Sequence, residues 1–164
     1  MQIAANVFLI RVLVAAGLAA AIGVEREFHQ KPAGLRTNIL IGMGSALFMI
    51  LSIEIARGFG GAADRIAAQI VTGIGFLGAG AIMRSGHSVH GLTTAATIWV
   101  NAAIGMTAGA GAFGLALGTT IVTLIVLAAL PPIEGFFERR ARGFLHAEST
   151  AKRAESRTPP THPS

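Results

Sequence analysis

Gln69, Thr93, Thr94, Thr97 and Asn101 are the residues of this chain that could do chemistry in an unusual place, because they interrupt long apolar runs. A side-chain amide there is both donor and acceptor, and hydrocarbon satisfies neither function. Such a group must bond another helix, line a polar pathway or hold a ligand. On a helix, Arg65, Gln69 and Thr72 fall at i, i+4 and i+7 and share one face; Thr94, Thr97 and Asn101 form the same kind of stripe at i, i+3 and i+7, with Thr93 one position aside. A threonine hydroxyl can return to its own helix backbone, so Gln69 and Asn101 carry the stronger expectation. Interhelical glue and a polar intramembrane site are the two readings of this stripe.

A second cluster is charged. Glu25, Arg26, Glu27, Lys31 and Arg36 fall close together after the first apolar run. A charge network that fixes a loop is the plain reading, and a hydrated Mg2+ held by the two carboxylates is the sharper one, since that ion takes oxygen ligands and keeps several waters. His87 and His90 accompany Arg84, but a zinc site needs more ligands than this segment offers. No cysteine is present, no serine has an evident histidine and acid partner, and Gly73, Gly75 and Gly78 match a dinucleotide fingerprint without the strand that must precede it. No catalytic residue, no cofactor and no enzyme activity are expected, and the identity of any metal is left open.

The elements that carry these residues must be membrane helices. The chain has 164 residues, 52% hydrophobic and 13% charged, too few polar groups to cover a soluble domain. No formally charged residue occurs between Arg84 and Glu134, a stretch long enough for two crossings. Apolar runs at 4–24, 38–56, 66–83, 92–109 and 112–133 predict an all-α, polytopic membrane bundle of about five helices, a transmembrane domain over 1–133 and a disordered, basic cytoplasmic tail over 134–164. The turn at 109–111 is the weakest boundary and admits a re-entrant segment. Arg11 interrupts the first run and is expected to reach outward to the interface along its aliphatic stem. Gly73, Gly75, Gly78, Gly80, Gly105 and Gly109 are expected to let helices approach closely.

Positive charge sets the orientation. Arg26, Lys31, Arg36, Arg84 and six residues of the tail fall on one side, with Arg57 and Arg65 on the other, which puts the N-terminus outside and the C-terminus in the cytoplasm. The +5 net charge follows from the same asymmetry. No aromatic-interleaved basic surface exists to stack bases, so nucleic acid is excluded and the lipid bilayer is the partner.

The segments GVEREFHQKPAGLRTNILIGMGSALF, DRIAAQIVTGIGFLGAGAIM and GLTTAATIWVNAAIGMTAGAG, in that order and at close spacing, resemble the membrane region of the MgtC/SapB family over residues 6–130. The resemblance implies a multi-pass protein of the bacterial inner membrane, linked to magnesium limitation and, in some pathogens, to virulence. It further implies a non-enzymatic regulator acting on another membrane protein such as the F-type ATP synthase. The alternative is a cation channel or carrier, for Mg2+ among others, and a homo-oligomer is compatible with either. Characteristic family positions map onto Glu25, Arg26, Glu27, Gly34, Leu35, Arg36 and Thr37, then Asp64, Arg65, Gln69, Gly73, Gly75, Phe76, Gly78 and Gly80, then Gly91 to Ala95, Trp99 and Gly105. Longer relatives carry a cytoplasmic α/β module where this chain has about thirty polar residues.

Overall fold

The computed structural model describes residues 3–59, 64–86 and 88–131. The expected tail, His87 and the side chain of Asp64 lie outside the described residues. Two compact units divide the chain, 1–125 and 126–164; of the second, residues 126–131 are described and are the last turns of a helix that begins in the first.

Among the described residues there are five helices: α1 (Ala5–Phe28), α2 (Leu35–Phe59), α3 (Asp64–Ala81), α4 (Leu92–Gly109) and α5 (Phe113–Pro131). The fold is an all-α bundle, and α1, α2 and α5 are long and apolar enough to cross a membrane. At 18 residues each, α3 and α4 are roughly 27 Å long, just under a hydrocarbon core of about 30 Å. Three threonines of its N-terminal half and Asn101 interrupt the apolar sequence of α4.

Three differences from the sequence reading have a local reason. First, α1 continues through Glu25, Arg26 and Glu27, which are good helix formers, and its last turn carries Arg26 where a cation complements the helix dipole. Second, α2 starts three residues early because Glu27 Oε2 accepts a hydrogen bond from Leu35 N at 3.1 Å, capping α2 from the preceding helix. Third, the segment expected as a loop between α3 and α4 is a short antiparallel hairpin, β1 (Met83–Ser85) and β2 (Ser88–His90), with Met83 opposite His90 and Arg84 opposite Val89.

The centre is the pair α2 and α4, with α1 against both and α3 mainly against α4. Ala15, Ala19 and Ile22 of α1 are fully buried at i, i+4 and i+7, so α1 presents one narrow, mostly small-residue stripe. Ile41, Ile70, Ile74, Ile98 and Ala102 make the apolar cluster where α2, α3 and α4 meet.

Candidate functional site

The α2–α4 seam is built on two glycine contacts in register. A Cβ at Gly105 would strike Gly42 O and come within 2.9 Å of Ser45 Cβ; one at Gly109 would lie 2.6 Å from Ala46 O. A Cβ at Gly42 would meet Ala19 Cβ at 2.6 Å, so the same glycine also admits α1. Gly42 opposite Gly105 and Ala46 opposite Gly109 keep one constant offset in sequence, which means that α2 and α4 run parallel. One turn before Gly42 and Gly105 stand Asn38 and Asn101, and they too are opposite each other.

Both asparagines are completely buried. Asn101 Nδ2 donates to Asn38 Oδ1 at 3.0 Å and to Asn38 main-chain O at 2.8 Å. The Nδ2 of Asn38 points the other way, donating to Ala33 O and, at 3.0 Å, to Gly34 O in the α1–α2 loop. Ala33 sits in the left-handed region with φ +58°, an uncommon place for a residue with a Cβ. Thr97 is buried and its hydroxyl donates to Thr93 O at 2.8 Å, while Thr94 is buried and Thr93 exposed. Of the expected intramembrane set, then, Thr94, Thr97 and Asn101 share the buried face of α4.

Gln69 does not join them. It is exposed on α3 and lines an apolar cleft of about 500 Å3 between α2 and α3, beside Ser45, Gly73 and Leu77. It makes no hydrogen bond among the described residues. Gly73, Gly75 and Gly80, expected as helix-packing positions, have no neighbour within 4 Å of an added Cβ, and Gly78 meets Ala95 only in ordinary contact at 3.6 to 3.9 Å. The correction is physical: α3 turns only Ile70, Ile74 and Gly78 fully inward, so Gly73 borders the cleft beside Gln69 without touching α2, and Gly75 and Gly80 lie off the buried face. Gly105 and Gly109 do pack as expected.

The charge cluster separates into two jobs. Arg26 is buried and bonds Glu25 at 2.7 and 3.2 Å, with His29 Nδ1 3.2 Å from the same carboxylate. Glu27 is exposed and caps α2. Both carboxylates therefore have protein partners, whereas Lys31 and Arg36 are exposed and make no salt bridge among the described residues. Arg11 has a protein partner: its Nη1 donates to Gly109 O at 2.8 Å, at the end of α4 where carbonyls lack intrahelical partners. Glu54 pairs with Arg57 at 3.4 Å and accepts from Ile3 N at 3.0 Å.

Asn38 is the residue that sequence reasoning missed as a site. The signal was an internal repeat: Asn38, Ile41, Gly42 and Met43 recur with the same spacing as Asn101, Ile104, Gly105 and Met106.

The MgtC family model matches residues 12–136. The chain is 51% identical over 129 residues to "Putative magnesium transporter YhiD" of Escherichia coli K12, covering 73% of this chain and 59% of that protein. Against "Protein MgtC" of Salmonella typhimurium LT2 it is 50% identical over 117 residues, 71% of this chain and 49% of that protein. An uncharacterised Synechocystis protein is 42% identical over 135 residues, 82% of this chain and 57% of that protein. The chain thus spans between about half and three-fifths of the length of these relatives. No solved structure matches it.

Proposed function

Because the chain belongs to the MgtC family, we propose that it is a non-enzymatic regulator in the bacterial inner membrane, linked to magnesium limitation and virulence, that docks onto another membrane protein, the F-type ATP synthase being the first candidate. The magnesium link leans on the name of a relative, "Putative magnesium transporter YhiD". All five helices cross in this reading, with the N-terminus outside and Arg26, Lys31, Arg36 and Arg84 on the cytoplasmic side.

The observation that carries docking is the outward face of α3. A helix that faced only lipid would not need Gly73 and Gly80 on the same side as Gln69, and lipid chains offer nothing to the Gln69 amide. A partner helix of small cross-section carrying one hydrogen-bonding side chain would suit both. The cation-pathway alternative finds less support, because Thr94, Thr97 and Asn101 are buried in the helix packing and no group of three or more acidic or histidine side chains gathers among the described residues.

Photocrosslinkers placed at Phe76 and Leu77 in native membranes test the proposal. Recovery of a distinct membrane protein, lost on Gln69→Leu, is the expected result; recovery of the chain alone overturns it.

A further inference from the structure

The α2–α4 seam carries the same short sequence pattern on two parallel helices, and the two asparagines of that pattern are used differently. Asn38 and Asn101 hold equivalent places on parallel helices, each one turn before a packed glycine. Only Asn101 gives its amide to its counterpart; Asn38 gives its own to the α1–α2 loop. Asn101 Oδ1 is left fully buried with no donor. Buried acceptors are nearly always satisfied, and this one stands beside an amide already committed elsewhere.

We propose that Asn38 is a two-position latch. In one position its Nδ2 holds the loop through Ala33 O and Gly34 O. In the other it turns to Asn101 Oδ1 and closes a reciprocal amide pair between α2 and α4. The two side chains are already joined at 3.0 Å, so rotation about the Asn38 side-chain bonds is the only large movement required. The loop position leaves Asn101 Oδ1 without a donor, and the paired position takes the side-chain donor from Ala33 O and Gly34 O. Gly34 O retains a main-chain bond from Asn38 N at 3.1 Å in both, and Ala33 O lies in a partly exposed loop where water replaces the lost donor. Release also frees Ala33 from its left-handed conformation. A cation at Asn101 Oδ1 is the poorer solution, because the groups shown to contact it are neutral and would leave a buried charge uncompensated. The loop carries Lys31, and Glu27 and Arg36 flank it, so a ligand of those charges acts on the core through Asn38.

The chain contains no cysteine, so Ala33→Cys, at a half-buried position of the loop, gives a single reporter of loop opening. Maleimide labelling of the purified full chain in lipid nanodiscs is the measurement. Asn101→Leu removes the competing acceptor and fixes Asn38 on the loop: labelling slows by roughly threefold or more. Asn101→Asp keeps an acceptor and strengthens it: labelling speeds up by a similar factor. With Asn38→Ala added, both effects disappear. A merely structural asparagine predicts faster labelling in both single variants. That result, or no change in either, overturns the latch; slower labelling in Asn101→Leu alone supports it even if Asn101→Asp fails to insert.

Discussion

Single residues in this bundle differ sharply in how much space they control, and the glycines show it best. Gly105 and Gly80 look alike in sequence, both glycines in apolar helices. At Gly105 an added methyl meets the backbone of α2; at Gly80 it meets nothing within 4 Å. Gly105→Ala is therefore expected to destabilise by about 1–3 kcal/mol through overpacking, and Gly80→Ala to stay within about 0.5 kcal/mol. Thermal unfolding in detergent distinguishes them, and equal losses would contradict the packing described above. Arg11 offers a second case. Its guanidinium serves the last carbonyls of α4, so Arg11→Leu should cost about 1.5–3 kcal/mol, the range of a hydrogen bond to a charged group, and Arg11→Lys clearly less. The polar character of Arg11, Gln69 and Asn101 was legible in the sequence, but their partners were not. A partner is a contact across elements: Asn101 finds Asn38, which is 63 residues away.

At the level of elements, apolar runs located the helices because burial and backbone satisfaction both require them in a membrane. The ends were less legible. Glu27 caps a helix that begins eight residues later, and no local pattern announces a cap supplied from outside its own helix. Glu27→Gln should preserve most of that bond, while Glu27→Ala should fray the first turn of α2, read as faster hydrogen exchange at Leu35. The faces of α3 were misread for a similar reason. Glycine spacing shows that a helix can approach something closely, but not whether that something is in the same chain. The inward face of α3 is set by Ile70, Ile74 and Gly78, which leaves Gly73 and Gly80, on the side of Gln69, for a partner in our reading. Gln69→Leu should accordingly leave unfolding nearly unchanged, within about 0.5 kcal/mol, while abolishing the crosslinks expected from α3.

For the whole molecule, the proposed five-crossing arrangement would put the β1–β2 hairpin and the α1–α2 loop on the cytoplasmic side. Single cysteines at Ser85 and Lys31 should react only from that side of sealed vesicles, and one at Gly58 only from the other. A regulator tied to magnesium supply should also rescue growth of a deletion strain at limiting Mg2+. Asn101→Ala should weaken that rescue while the protein still reaches the membrane at normal level, and lost insertion would instead assign Asn101 a purely structural role. What the sequence determined by itself was the solvent and the class of fold: its composition, its uncharged runs and its charge asymmetry fit a membrane bundle, and its ordered motifs point to the family. These are one-dimensional properties, fixed by how far a helix reaches and what hydrocarbon tolerates. The tertiary structure decided which glycines touch a neighbour, that Asn38 rather than Gln69 meets Asn101, and that one acceptor between two parallel helices is left without a donor. Those facts depend on rotation and register of one helix against another, and an apolar run leaves both undetermined because lipid-facing and helix-facing surfaces are alike in hydrophobicity.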